Sequence, residues 1–77
     1  MKEDEKQLLL KIRKERPLPP KGENKFATEY GDELGIHPKR TEYLLGKWTD
    51  RDWWEYGVTV RTGWLTEKGC KAADELS

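Results

Sequence analysis

The 77-residue sequence has one cysteine, one histidine and one serine, and each scarcity excludes a class of chemistry. Cys70 has no partner for a disulfide within the chain, and with His37 it is too little to form a cluster of metal ligands. Ser77 has no histidine near it in sequence, and neither a GxxxxGK[ST] loop nor a GxGxxG turn occurs. We therefore expect no enzymatic activity, no catalytic residue, no cofactor and no metal.

Long apolar runs are also missing. The longest near the N-terminus is Leu8, Leu9 and Leu10, which is too short for a signal peptide or a membrane span. With one cysteine, this predicts a cytoplasmic chain that does not interact with membranes.

The aromatic content offsets a low hydrophobic content. Hydrophobic residues make up 34% and charged residues 39% of the chain, which alone would favour disorder, but four Trp, three Tyr and one Phe can bury large areas. One small folded domain is expected.

The charge is balanced overall but unevenly distributed. The net charge of zero argues against simple polyanion binding. From residue 11 to 25 there are six bases and two acids, from 26 to 36 three acids and no base, and from 37 to 48 three bases and one acid. Such segregation can give a neutral protein a basic face, although solvated charge is the commoner explanation.

Apolar spacing predicts three helices in the first two thirds of the chain. The first runs from about Glu3 to Glu15 and must stop before Pro17, where a Pro-rich connector begins. The second is capped by Asn24 and ends at Gly35, with Phe26, Ala27, Tyr30 and Leu34 on its inner side. The third has His37 as N-cap and Pro38 as its first residue, with Thr41, Leu44, Leu45 and Trp48 inside.

A short hairpin and a last helix are predicted after the third helix. Thr49 and Asp52 match a capping box that would start a short helical turn to about Glu55. Alternation from Trp54 to Val60 then predicts a half-buried strand with Tyr56 and Val58 on its inner side. The loop Arg61-Thr62-Gly63 matches a type I turn closed by a glycine with positive φ, which would place Val60 opposite Trp64. Thr66 would cap the last helix, whose inner stripe includes Ala73 and Leu76.

The segment EYGDELGIHPKRTEYLLGKW resembles a helix-turn-helix, with Gly31 where the two helices must cross closely. The hairpin and the LTEKG that follows it resemble the wing of winged helix-turn-helix transcriptional regulators. The resemblance implies a mainly α fold with a small β-hairpin, built as a three-helix core, a wing hairpin and a C-terminal helix. Its parts would be a first helix (1–16), a connector (17–23), a helix-turn-helix (24–48), a wing (54–66) and a last helix (67–77).

The resemblance also implies double-stranded DNA as the partner of a small transcriptional regulator or architectural factor. The third helix would enter the major groove and read bases through Lys39, Arg40 and Tyr43. Lys47 and the basic end of the first helix would meet phosphates, and Arg61 and Thr62 at the wing tip would reach the backbone or the minor groove.

The alternative is a winged helix that binds protein and not DNA. Acidic residues near the expected contact surface favour it, and Trp53 and Tyr43 would be its exposed anchors. Trp48, Trp54 and Trp64 are instead expected to clamp the hairpin to the helices. No long additional helix is evident, so a monomer or a weak homodimer is expected.

Overall fold

The computed structural model describes residues 1–15 and 26–76, and this part of the chain is mainly helical with one small antiparallel hairpin. The connector 17–23 and the cap at Asn24 lie outside the described residues. The elements in chain order are α1 (Glu3–Glu15), α2 (Ala27–Glu33), α3 (Pro38–Asp50), β1 (Trp54–Glu55), β2 (Trp64–Leu65) and α4 (Glu67–Leu76). The fold class predicted from the sequence is confirmed at this level.

The core lies where α1, α3 and the hairpin meet. Leu8, Leu9 and Ile12 of α1 are fully buried, as their spacing predicts. Trp48 of α3 and Trp54 of β1 are also buried, and their rings pack at a tilt of 58° with centroids 6.1 Å apart. In a domain this small, two buried tryptophans supply much of the apolar area that stabilises the fold.

The turn between α2 and α3 has the close geometry that the sequence predicts. Gly35 has φ of +77°, and the Ile36 N–H donates to the Gly31 carbonyl at 2.8 Å, which closes α2 with a Schellman motif. Gly31 lies directly against Thr41 of α3, so closely that a Cβ at residue 31 would collide with the Thr41 hydroxyl. The two helices therefore cross at a glycine, as a helix-turn-helix requires.

The start of α2 differs from the prediction. Phe26, and not Asn24, is the N-cap residue, and its N–H donates to the Glu29 carboxylate at 2.6 Å. Phe26 was expected on the inner side of the helix, but its side chain is 46% exposed. The Glu29 carboxylate, three residues into the helix, thus satisfies the N–H of the cap residue itself, which is one half of a capping box.

The N-terminal end of α3 is as predicted, and its C-terminal end is not. The His37 Nδ1 accepts from the Lys39 N–H at 3.1 Å, which confirms the N-cap. The capping box at Thr49 and Asp52 is wrong, because the Thr49 hydroxyl donates to the Leu45 carbonyl at 2.9 Å within α3. Asp52 instead has φ of +64° and ends the helix, since Asp tolerates the left-handed conformation better than most residues do.

The hairpin is much shorter than predicted. β1 pairs with β2 in the register Trp54 with Leu65 and Glu55 with Trp64, so Val60 does not face Trp64. Residues 56–63 form a loop that contains a 3₁₀ turn at Val60–Thr62, because the Trp54 Nε1 donates to the Val60 carbonyl at 2.8 Å. Side-chain alternation could not show this bond.

Two residues of this loop correct the predicted turn. Gly63 has φ of −82°, so it is not a positive-φ residue. It must be glycine for another reason, since a Cβ there would collide with the Glu55 carbonyl. Val58 was expected to point inward and is instead 87% exposed.

The last helix matches its prediction. The Thr66 hydroxyl accepts from the Gly69 N–H at 3.0 Å and donates to the Asp52 carbonyl, so it caps α4 and ties it to the end of α3. Ala73 is buried, and α4 packs along α1, where Arg13 pairs with Asp74 at 3.1 Å. Across residues 1–15 and 26–76, no helix combines the length and apolar character needed to cross a bilayer.

Candidate functional site

The outer side of α3 is bordered by α1 on one flank and by the loop of residues 56–63 on the other. Residues 40 and 47, two turns apart, lie toward the N-terminal turn of α1. Residues 42, 46 and 49 lie toward the loop. Lys39 and Tyr43 stand between the two flanks and are exposed. This surface includes all four of the α3 residues predicted to contact DNA.

We call the flank facing α1, with Arg40 and Lys47, the basic flank. Asp4 accepts from the Arg40 Nε at 3.0 Å and from its Nη2 at 3.2 Å, so the guanidinium is held by two bonds. The Arg40 Cζ lies 5.4 Å from the Tyr43 ring centroid. Arg40 lowers the pKa of the Asp4 carboxyl, mainly through these hydrogen bonds, so the pair stays ionised at neutral pH.

Glu5 is the second carboxylate of α1 that binds the basic flank, and it is only 1% exposed. Its carboxylate accepts from the Trp48 Nε1 at 2.9 Å and from the Lys47 Nζ at 3.1 Å, and the Arg51 Nη1 lies 3.9 Å away. Burial works to raise the pKa of Glu5, but the two hydrogen bonds and the positive charges of Lys47 and Arg51 outweigh it, so that pKa lies below its usual value. The network joins α1 to α3 through a buried charge.

Asp4 and Glu5 were not singled out in the sequence. They lie in the first turn of α1, where acidic residues interact favourably with any helix N-terminus. Nothing local indicates that they contact residues 36 and 42 positions further along the chain. Of the two, only Glu5 has an unusual position in the sequence pattern. It falls three residues before the buried Leu8, so this charged residue lies on the inner stripe of α1.

The two loop residues predicted to contact DNA have different environments. Arg61 is exposed, and its Cζ lies 5.8 Å from the ring centroid of Phe26 at the start of α2. Thr62 is half-buried, and its hydroxyl donates to the Thr59 carbonyl at 3.0 Å. The 3₁₀ turn contacts both α2 and α3, so the loop folds back onto the helices.

The other flank of α3 borders an open groove of about 610 Å³. We call this the acidic groove; its lining includes Glu42, Tyr43, Gly46, Asp50, Tyr56 and Val60. Glu42 and Asp50 are exposed, and within the described residues neither side chain forms an ion pair or a hydrogen bond. Lys47 reaches the edge of the groove, but its ammonium group is bound to Glu5.

Trp53 does not serve as the exposed anchor that was predicted. It is half-buried against the core, and the Arg51 Cζ lies 5.1 Å from its ring centroid. Trp53 lines a separate depression beside Lys68 and Ala72 of α4, whereas Tyr43 lines the acidic groove. A protein interface through Trp53 and Tyr43 together would therefore need two separate depressions.

Cys70 is the one cysteine of the chain and is half-buried. Burial raises the pKa of the Cys70 thiol, which is the reverse of what a reactive cysteine needs. Among residues 1–15 and 26–76, no three side chains of His, Cys, Asp or Glu are grouped as metal ligands.

Comparison of the chain with protein-family models, with curated proteins and with solved structures finds no match. The resemblance to winged helix-turn-helix regulators therefore rests on the residues of this chain. In the structure, α2 and α3 cross at Gly31, and the turn between them has a left-handed residue at Gly35.

Proposed function

We propose that this chain is a winged helix-turn-helix domain that binds double-stranded DNA, as a small transcriptional regulator or architectural factor. The observation that carries the proposal is the pairing of a tight helix-turn-helix with an uncovered α3, whose N-terminal half presents Lys39, Arg40 and Tyr43 together. In this role α3 enters the major groove, and the loop of residues 56–63 meets the backbone or the minor groove.

Arg40 is the main base reader in this proposal. Asp4 occupies its Nε and one hydrogen of Nη2, which leaves Nη1 and the remaining Nη2 hydrogen to donate to guanine O6 and N7. A guanidinium held by two hydrogen bonds loses little further freedom when it meets a base edge. Asp4 is thus a positioning residue for Arg40.

The remaining contacts divide between bases and phosphates. Tyr43 stands beside Arg40 and is 61% exposed, so its ring and hydroxyl can reach a neighbouring base. Lys39 reads bases beside Arg40, Lys47 contacts phosphate, and Arg61 and Thr62 reach the backbone or the minor groove from the loop, where Thr62 is held by its bond to Thr59.

The charges predict weakly salt-dependent binding. Lys39 and Arg61, the two contact cations that no described carboxylate pairs with, would each displace about one counterion and give a slope of about −2 in a plot of log K against log salt concentration. Asp4 and Glu5 offset the charges of Arg40 and Lys47, so the slope is not expected to be steeper. Affinity for random DNA is then low, and base contacts supply most of the preference for a site.

The test is an amide-shift titration of labelled protein with a pool of short DNA duplexes, at low and then moderate salt. Shifts are expected at Lys39, Arg40, Tyr43, Lys47, Arg61 and Thr62, and they should weaken as salt rises. Lys39→Gln should reduce binding, whereas Lys68→Gln, an exposed lysine of α4, should leave it unchanged. Absence of shifts at low salt would reject the proposal.

A further inference from the structure

We propose that the acidic groove binds a basic segment of a partner protein, with one apolar side chain of that segment seated over Gly46. The groove borders the Arg40–Asp4 pair through Tyr43, which lines it and also lies beside Arg40, but the inference is argued from Gly46, Glu42 and Asp50, which the proposed DNA binding does not use. It depends on a glycine without an internal role, on uncovered aromatic walls and on unpaired acids.

Gly46 lowers the stability of α3, and no packing contact requires a glycine there. It lies inside a 13-residue helix, where glycine is less favourable than alanine. A Cβ at Gly31, Gly63 or Gly69 would collide with a neighbour, and Gly35 needs its positive φ. At Gly46 the φ is ordinary and no described atom comes within 4 Å of such a Cβ. What the absent side chain does provide is depth, since the floor of the groove is bare helix backbone.

The walls of the groove are apolar and uncovered. Tyr43 on α3 and Tyr56 on the loop are 61% and 46% exposed, and Val60 lines the groove between the loop and α3. A volume of about 610 Å³ accommodates one large aliphatic or aromatic side chain with the backbone on either side of it. Tyrosine rings are well suited to such contacts, because they present a large rigid area with few rotatable bonds.

The charge around the groove selects the partner. Glu42 and Asp50 form no ion pair or hydrogen bond with any described residue, and Lys47, the one cation among the described residues that line the groove, is bound to Glu5. Lysine or arginine on either side of the apolar side chain would meet these carboxylates.

The first experiment is a titration of the full labelled chain with three end-blocked hexapeptides. The first, KRLWRK, has an apolar centre between basic ends; EDLWDE reverses the charge, and KRSGRK removes the apolar centre. We expect KRLWRK to shift the amides of Tyr43, Gly46, Tyr56 and Val60 and to bind at least ten-fold more tightly than either of the others.

Two variants locate the binding. Gly46→Leu fills the groove and should reduce KRLWRK affinity at least ten-fold, and Gly46→Ala gives a smaller loss if the leucine variant does not fold. Glu42→Gln combined with Asp50→Asn should also weaken binding about ten-fold. The matched control combines Asp32→Asn with Glu75→Gln, two exposed acids outside the groove, and should bind as the parent does.

Several results would overturn the proposal. These are equal binding of EDLWDE or KRSGRK, parent-like binding by the Gly46 variants, absence of KRLWRK binding, and shifts confined to other surfaces. A DNA duplex that shifts Gly46 and Tyr56 and displaces KRLWRK would assign the groove to nucleic acid instead. A duplex that shifts Arg40 while KRLWRK stays bound at Gly46 and Tyr56 would support the assignment of the groove to a peptide.

Discussion

The two sides of α3 carry similar numbers of charged side chains, which are paired on one side and unpaired on the other. On the basic flank, Arg40 and Lys47 are each bound to a carboxylate of α1. On the side of the acidic groove, Glu42 and Asp50 have no partner among the described residues. Counted by residue type, α3 is basic. When the residues held in ion pairs are left out, the remaining exposed charge of α3 is more acidic than that count suggests.

A charged residue attracts a partner only to the extent that neighbouring residues of its own fold do not already offset its charge. Bound arginine is a precise but weakly attracting contact, since its direction is set and its field is offset. Unpaired carboxylates attract a partner more strongly, but their direction is not set. The basic flank is therefore suited to recognition at short range, and the groove to attraction of a cationic partner.

Removing Trp48 should disrupt both sides at once, because its ring lies behind them. Trp48→Ala should lower the free energy of unfolding by about 3 to 5 kcal/mol, enough to unfold a domain of this size. Chemical denaturation measures the effect, and Trp64→Ala, at a half-buried position, should cost clearly less. A Trp48 variant with the parent's stability would show that α3 does not depend on this contact.

Removing Glu5 should affect the basic flank alone. Glu5→Ala leaves the buried Trp48 N–H without its acceptor, which costs roughly 1 to 3 kcal/mol. Because the folded pKa of Glu5 lies below the ordinary 4.5, its ionised form stabilises the fold above about pH 4.5. That stabilisation is lost as pH falls through the lowered folded pKa.

Denaturation at a series of pH values tests this sign. The parent should lose stability on acidification below pH 4.5 more than Glu5→Ala does, and Glu3→Gln, at an exposed site, should follow the parent. Identical acid profiles for the parent and Glu5→Ala would remove Glu5 from the account of stability.

Changes at Arg40 sharpen the contrast in function. Arg40→Ala should weaken binding to a preferred DNA site by about 10- to 100-fold, and Asp4→Asn should reduce preference among sites, because the guanidinium loses its orientation. Lys68→Ala is the control, since Lys68 is an exposed cation of α4 outside the predicted contacts. Equal losses for Lys68 and Arg40, measured by fluorescence anisotropy, would indicate a general charge effect.

The smallest expected effect concerns Gly46. Gly46→Ala should raise the free energy of unfolding by about 0.5 to 1 kcal/mol, because alanine favours the helix and meets no neighbour. Gly31→Ala, by contrast, should lower it through collision with Thr41. A destabilised Gly46→Ala variant would mean that the glycine has a role within the fold.

Sequence reasoning was most successful where the determining interactions are local. The caps at His37 and Thr66 and the left-handed turn at Gly35 each depend on residues within a few positions of one another. The hairpin was mispredicted because its loop is held by the indole of Trp54 bonding to the Val60 carbonyl, a contact that competes with strand alternation.

The candidate site was predictable only in part. Helical spacing placed Lys39, Arg40, Tyr43 and Lys47 on the outer side of α3, and the structure has them there. It could not indicate which of their charges are offset, since those partners come from the first turn of α1. Trp53 shows the same limitation, because its half-burial depends on packing against the core.

The sequence by itself determined the helices, the caps at His37 and Thr66 and the glycine crossing of α2 and α3, because backbone hydrogen bonding and steric fit act over a few residues. Only the tertiary structure decided the state of the charges on α3. Asp4 and Glu5 bind Arg40 and Lys47 across more than 35 residues, and Glu42 and Asp50 face an open groove. Electrostatic energy depends on distance in space and on burial, and the fold alone sets both.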